Sequence, residues 1–316
     1  MKIAPATLTA ASLCLLAAPF TLAEEGGAGH HVPGGMSTMI DILPTQPGWV
    51  VESMYLHYSG DASAGSRIPI ANRLGLGLDA TSDAFTLGGI YTFEQQVLGA
   101  HYSVGAFVPY VWMNVEAQVR VGLLPPAFVS SSTDGLGDIS ILPVMMAWKS
   151  DNWQFNAALP IYAPTGDYRA GRLANPGLNH WSFDPTVGVA YANEETGFNF
   201  AVHTGFTFAT ENSDTSYRNG TVWHLDVSAQ QLLPVGPGVL GIGVEAFYIE
   251  QVTGDSGRGA TLGGFKGSTY GLGPVLSYIL PVDDSAFVVE ARWLTELETT
   301  NRPQGDYFWL KAVYQF

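Results

Sequence analysis

The 316 residues of this chain include 28 acidic and 13 basic side chains, which gives a formal net charge of -15 at pH 7. Only 13% of the residues are charged, whereas 47% are hydrophobic and 12% are aromatic. A soluble protein usually has about 25% charged residues, and a nucleic-acid-binding protein needs an excess of positive charge. The composition therefore excludes nucleic-acid binding and disfavours an ordinary soluble surface.

Residues 1–23 are predicted to be a cleaved secretory signal. Lys2 supplies the positive start, residues 8–22 are mostly apolar, and small residues precede the expected mature start at Glu24. The only cysteine, Cys14, lies inside this signal. The exported chain is therefore predicted to have no disulfide, thiolate metal ligand or cysteine nucleophile.

Residues 24–47 show little alternation of apolar and polar residues and precede the first predicted strand. Two interpretations are open: a flexible periplasmic extension, or a plug that folds into a barrel and carries His30 and His31 inside. Adjacent histidines also suggest a metal site, but their spacing does not easily bring both to one ion. We therefore predict no metal and no cofactor.

Residues 48–316 contain about twelve alternating stretches and none of the ~20 consecutive apolar residues that a membrane-spanning helix needs. The long predicted connections are residues 59–82, 116–135, 165–180, 211–220, 253–267 and 298–304. The short ones between them are residues 95–100, 150–152, 193–197, 233–238 and 281–285. Long extracellular loops that alternate with short periplasmic turns are typical of an up-and-down barrel. The predicted fold class is all-β, a single transmembrane antiparallel β-barrel of about 12 strands in the Gram-negative outer membrane.

The alternation also predicts where side chains point in the later strands. Phe198, Phe206 and Trp293 are predicted to face lipid, whereas Asn199 lies on the opposite face. The charged and imidazole groups predicted to face the lumen are His203, His224, Asp226, Glu245, Glu290, Arg292 and Lys311. They either select solutes by charge and hydrogen bonding or fill a narrow barrel with paired charges. The first four strands are too irregular for this prediction.

The third long outer loop, residues 175–185, is rich in turn formers and aromatic residues. Asn175, Asn179 and Asp184 are expected to brace the loop through local hydrogen bonds. Alternatively, Trp181 and Phe183 contact an aromatic solute at the mouth of the barrel.

The last predicted strand has apolar residues at every second position up to the final residue. An exposed strand of this kind aggregates, whereas a closed barrel pairs it with the first strand. Its aromatic residues Phe308, Tyr314 and Phe316 are the expected signal for the barrel-assembly machinery.

Several segments together resemble a known family. They are Gly29-His30-His31-Val32-Pro33-Gly34, Pro47-Gly48-Trp49, Gly137-Asp138-Ile139, Thr165-Gly166-Asp167-Tyr168, Asn175-Pro176-Gly177-Leu178-Asn179-His180-Trp181-Ser182-Phe183-Asp184-Pro185, His224-Leu225-Asp226 and Gly305-Asp306-Tyr307-Phe308-Trp309. In their order and spacing they resemble the outer-membrane proteins of the meta-pathway of phenol degradation, a transporter family. The resemblance implies an outer-membrane barrel that passes hydrophobic or aromatic compounds.

The predicted function is passive uptake of such solutes, and the predicted surroundings are outer-membrane lipid and lipopolysaccharide. The alternatives are a closed structural or adhesion barrel, a general porin and a phospholipase-like hydrolase. His101 and Ser103 have the spacing of such a hydrolase, but Asn114 lies more than about 30 Å along the same strand at ~3.3 Å per residue. No enzyme is therefore predicted.

Overall fold

The computed structural model describes residues 29–62, 68–70, 73–120, 127–261, 263–264, 266–282 and 285–316. The predicted signal, residues 1–23, and the first residues of the predicted extension, 24–28, lie outside this part of the chain. No helix of the described residues has the length and apolar character needed to cross a membrane.

Twelve antiparallel strands make up the wall of the described structure. They are β1 (Gly48–Ala62), β2 (Arg73–Val97), β3 (Ala100–Arg120), β4 (Ala127–Leu136 and Ile139–Ser150), β5 (Trp153–Ala158 and Ile161–Ala163), β6 (Ser182–Phe183 and Thr186–Ala192), β7 (Phe198–Ala209), β8 (Val222–Val235), β9 (Gly238–Gln251), β10 (Ser268–Val282), β11 (Ser285–Thr300) and β12 (Gln304–Gln315). A short strand, Ile68–Ile70, pairs with the start of β2. A single 3-10 turn, Met39–Asp41, precedes β1.

Each strand pairs with its neighbour in the chain, and β12 pairs with β1, so that no edge is left open. At the seam, the backbone amide of Phe316 donates to the Trp49 carbonyl, and that of Trp49 donates to the Phe316 carbonyl, both at 3.0 Å. Closure satisfies the backbone groups that lipid cannot hydrogen bond. The predicted fold class, an up-and-down barrel of about 12 strands, is confirmed.

Side chains alternate across the wall as predicted for the later strands. In β7, Phe198, Phe206 and Phe208 are 42–44% exposed on the outer face, whereas Asn199 and His203 are buried. The same alternation holds in β8, β9 and β11. In these strands the outer face is therefore an apolar belt suited to lipid, and the inner face is polar.

Two of the predicted long connections are wrong, because residues 59–82 and 116–135 lie largely in strands. Ala62 still pairs with Leu78 in the first hairpin, and Glu116 pairs with Ser130 in the second. These stretches contain polar runs such as Thr81-Ser82-Asp83 and Ser130-Ser131-Ser132. A strand with polar residues on both faces lacks the alternation by which strands are recognised, so the sequence pattern missed it.

Three adjacent strands are interrupted. The breaks lie at Gly137-Asp138 in β4, Leu159-Pro160 in β5 and Asp184-Pro185 in β6. Proline cannot donate a ladder hydrogen bond, which explains the breaks in β5 and β6. The consequence for the interior is that Asp138 and Asp184 are buried there rather than paired in regular strands.

Candidate functional site

The residues that precede β1 lie against the inner face of the barrel. Their backbone carbonyls accept hydrogen bonds from inward side chains of three well-separated strands. The bonds are Trp309 Nε1 to Pro33 O (2.9 Å), Lys311 Nζ to Gly35 O (2.7 Å), Ser228 Oγ to Ser37 O (2.8 Å) and Gln154 Nε2 to Leu43 O (2.8 Å). Residues 29–43, here called the lumen segment, therefore cross the interior from one side of the wall to another.

Asp41 is the main ionic anchor of the lumen segment. Its carboxylate lies 2.6 Å from Arg292 Nη2 and 2.6 Å from Lys311 Nζ. The backbone amides of Ser37 and Thr38 also donate to it, at 3.0 and 3.1 Å. Burial alone would raise the pKa of Asp41, but the charges of Arg292 and Lys311 outweigh it and hold the pKa well below the usual range of a carboxyl.

Arg292 joins the lumen segment to β11. Its guanidinium lies 2.5 Å from Glu290 Oε1 and donates to Gly34 O and to the hydroxyls of Ser37 and Thr38, at 2.5–2.8 Å. Glu245 Oε2 lies 3.5 Å from it. Six of the seven side chains predicted to face the lumen therefore fall into two groups. Glu245, Glu290 and Lys311 lie around Arg292, directly or through Asp41, and His224 and Asp226 belong to the cluster described next. The seventh, His203, is also buried, and neither of its ring nitrogens has a hydrogen-bond partner among the described residues.

A second inward group combines two histidines and two aspartates. The imidazole of His31 stacks on that of His224 with ring centroids 3.6 Å apart. His224 Nε2 lies 2.8 Å from Asp184 Oδ1, and His31 Nε2 lies 3.4 Å from Asp226 Oδ2. Burial alone would lower the pKa of His31, but the carboxylates of Asp184 and Asp226 outweigh it and raise that pKa to about 9.

The neighbouring His30 points to a different part of the wall. Its Nε2 lies 2.9 Å from Asp138 Oδ2, its Nδ1 lies 2.8 Å from Ser182 Oγ, and its ring stacks on Tyr162. Asp138 also accepts the backbone amides of Gly166 and Leu178 at 2.8 and 2.7 Å. His30 is therefore linked through Asp138 to the long loop between β5 and β6, while His31 lies in the other cluster.

Beside the lumen segment lies an apolar cavity of about 550 Å³. Met36, Met39 and Ile40 of the segment form one side of it. The other side comes from β1 to β4 and includes Met54, Leu56, Ile90, Phe107, Met113, Leu142 and Met145. Its lining reaches Asn175 and Leu178 at the long-loop end of the barrel and Ala286 and Gln315 at the short-turn end. The sequence pattern did not predict this cavity, because the side-chain directions of the first four strands could not be assigned.

Asn175 makes local hydrogen bonds within the loop, whereas Asn179 bonds to Asn212 in the next long connection. Asn175 Oδ1 accepts from the Arg169 amide and from Arg172 Nε at 2.9 and 2.8 Å. Asn179 has a positive φ of 57° and donates to Asn212 Oδ1 at 2.8 Å.

Trp181 and Phe183 do not line the entrance. They are 43% and 38% exposed, whereas Ser182 between them is buried, so that the two rings point away from the lumen. Asp184 is not a loop residue either, because it lies at the break in β6 and contacts His224 inside the barrel. The alternation of β6 continues across its break, and it determines that Trp181 and Phe183 point outward and Asp184 points inward.

Comparison with known proteins agrees with this architecture. A model of the family described as "Putative MetA-pathway of phenol degradation" matches residues 59–312. The chain belongs to this family. No curated protein sequence matches it.

Among solved structures, the chain is similar to an outer membrane channel from Pseudomonas putida F1, with 15% identity, a TM-score of 0.64, and coverage of 90% of this chain and 100% of the other. It is also similar to the beta domain of the Bordetella autotransporter BrkA, with 10% identity, a TM-score of 0.52, and coverage of 86% and 100%. At these identities the likeness establishes the barrel fold. This member of the family is an outer-membrane barrel.

Proposed function

We propose that this barrel is a channel for the passive uptake of small hydrophobic or aromatic compounds across the outer membrane. The observation that carries the proposal is the apolar cavity beside the lumen segment, whose lining reaches both ends of the barrel. A cavity of about 550 Å³ lies within the range of roughly 300–1,000 Å³ of small-molecule sites. The phenol-degradation description of the family and the channel from Pseudomonas putida support the same function.

The lining suits varied apolar solutes. Five methionines, Met36, Met39, Met54, Met113 and Met145, contribute to it. Methionine is unbranched and polarisable, and it adapts to different apolar shapes. The lipopolysaccharide leaflet resists such solutes, so a protein path with an apolar wall has a physical purpose.

The lumen segment is the movable closure of this path. Its contacts with the wall are mainly hydrogen bonds and ion pairs rather than strand pairing, and it contributes one side of the cavity. Export by the signal at residues 1–23 and insertion by the barrel-assembly machinery through Phe308, Tyr314 and Phe316 belong to the same proposal. The proposal includes no catalytic step. The two residues considered for a hydrolase contact other side chains: Ser103 Oγ lies 2.8 Å from Thr92 Oγ1, and His101 Nε2 lies 3.4 Å from Gln96 Nε2.

Liposome uptake tests the function directly. Vesicles that contain the purified protein should take up a labelled aromatic acid faster than protein-free vesicles, and faster than they take up a sugar of similar mass. Equal rates for the two solutes would indicate a general porin. No uptake of either, together with no conductance in planar bilayers, would indicate a closed structural barrel, an alternative that the ion-paired interior favours.

Met54→Gln should slow uptake of the aromatic solute about tenfold. The substitution nearly conserves volume but introduces an amide into the apolar lining, and an amide without a partner disfavours apolar contacts by ~1–3 kcal/mol. Uptake rates in vesicles measure the effect. Thr81→Gln is the matched control, because Thr81 lines a separate polar cavity near Asp61 and Glu116. Equal slowing by both variants would mean that the apolar cavity is not the path.

A further inference from the structure

The cluster of His31, His224, Asp184 and Asp226 is not explained by ion pairing alone. Asp226 is 1% exposed, and its contacts with His31 Nε2 and His224 Nδ1, at 3.4 and 3.9 Å, do not have the geometry of a good hydrogen bond. His31 Nε2 and His224 Nδ1 have no other hydrogen-bond partner among the described residues. Buried polar groups with poor hydrogen bonds are costly, so the contacts within this cluster leave part of its polar capacity unused.

Buried carboxylates outnumber buried guanidinium and ammonium groups among the described residues. Besides that of Asp41, eight carboxylates are buried, against three guanidinium or ammonium groups. The carboxylates belong to Glu52, Asp138, Asp184, Asp226, Glu245, Asp255, Glu290 and Glu296, and the cations are Arg292, Arg302 and Lys311. Arg292 and Lys311 pair with Asp41 and its neighbours, and neither has a recorded ion pair with Asp184 or Asp226.

The donor atoms converge on one side of the stacked rings. His31 Nδ1 lies 3.7 Å from Asp184 Oδ2, and His224 Nε2 lies 2.8 Å from Asp184 Oδ1. One ligand atom from each of the three residues falls within 4.8 Å of the other two. The ligand atoms of a zinc tetrahedron lie ~3.4 Å apart, given bonds of ~2.0–2.1 Å. The two stacked rings would have to rotate to direct His31 Nδ1 and His224 Nε2 at one ion.

Asp226 lies on the opposite side of the rings. Its Oδ2 is 3.4 Å from His31 Nε2 and 3.9 Å from His224 Nδ1, the two ring nitrogens that do not face Asp184. Metal-bound histidines regularly donate their other ring N–H to a carboxylate, which fixes the tautomer and the ring orientation. Asp226 is thus in place to act on both histidines at once as a positioning residue.

We propose that His31, His224 and Asp184 bind one divalent transition-metal ion, with Asp226 orienting the two imidazoles. Two imidazoles and one carboxylate suit Zn²⁺ and its first-row neighbours better than Mg²⁺ or Ca²⁺, which prefer oxygen ligands alone. The ion links the lumen segment, through His31, to β6 and β8. His31, Asp184 and His224 also line the apolar cavity, but metal binding is measured without any solute, so its failure and a failure of transport are distinguishable.

The site is tested by calorimetric titration with Zn²⁺. The protein is purified without a polyhistidine tag and treated with a chelator first. The expected result is one Zn²⁺ per barrel. Asp226→Asn should keep the stoichiometry but weaken binding ~10-fold, whereas His31→Ala and His224→Ala, which each remove a ligand, should weaken it by ~100-fold or more. His101→Ala, at a short turn, should change nothing.

Tetrahedral Co²⁺ absorption provides a second readout, because its visible bands report coordination geometry rather than fold. The bands should appear on the wild type and be lost in His31→Ala, a variant that changes no barrel strand and is checked for folding by heat-modifiable gel mobility. Absence of stoichiometric Zn²⁺ binding by the wild type would overturn the proposal. Equal binding by folded His31→Ala and wild type would overturn it as well.

Discussion

Asp41→Asn is expected to release the lumen segment and to raise the conductance of the barrel in planar bilayers several-fold. The change removes the carboxylate that lies 2.6 Å from both Arg292 Nη2 and Lys311 Nζ. Arg292 keeps Glu290, whereas Lys311 loses the only ion pair recorded for it among the described residues. Removing one partner of a buried ion pair costs about 3–5 kcal/mol, enough to shift the segment from mostly docked to mostly released.

Asp167→Asn is the matched control. Asp167 pairs with Arg172 at 2.8 Å, but its side chain is 47% exposed, and such surface pairs contribute about 0–1 kcal/mol. Conductance should stay at the wild-type level. If Asp41→Asn also leaves conductance unchanged, the lumen segment is not held by this anchor.

The conductance of the wild type should depend on pH only where the Asp41 carboxyl titrates. Because the folded-state pKa of Asp41 is depressed, its contribution to docking is present above the ordinary carboxyl pKa of 3.8 and is lost as pH falls through the folded value. Asp41 should therefore keep the segment docked at pH 5. Conductance recorded from pH 7 to pH 5 should therefore stay constant, and a rise in that interval that is absent from Asp41→Asn would contradict the prediction.

Gly34→Val should displace the lumen segment by steric conflict instead of by loss of charge. Gly34 has a φ of +81°, and a Cβ at this position would lie 2.7 Å from Trp309 Nε1 and 3.0 Å from Leu294 Cδ1. A β-branched residue therefore meets an unfavourable backbone conformation and a collision with the wall. The expected results are higher conductance and a lower midpoint of thermal unfolding.

Gly171→Val separates the cost of the backbone conformation from the collision with the wall. Gly171 has a nearly equal φ of +86°, but nothing lies within 4 Å of a Cβ built there. It should show only the backbone cost, ~1–2 kcal/mol, and no change in conductance. The same increase in both variants would indicate a general loss of stability rather than release of the segment.

The sequence could predict the fold because a lipid-facing wall imposes a period of two. His203, Glu245 and Arg292 were assigned to the interior from this period alone, and all three are buried there. The period failed in the first four strands, where polar runs such as Ser130-Ser131-Ser132 put polar residues on both faces of a strand. Alternation gives the direction of a side chain but not its partner across the lumen. The stacking of His31 on His224 and the anchoring of Asp41 join residues about 190 to 270 positions apart, and only the folded barrel could reveal them.

The position of the anchors also bears on the order of folding. Arg292 lies on β11, and Trp309 and Lys311 lie on β12, so the main partners of the lumen segment belong to the last hairpin of the wall. The segment is made first but has no complete docking surface until that hairpin is in place. We therefore expect an unfinished barrel to hold a water-filled lumen and to become sealed only after β12 has joined β1.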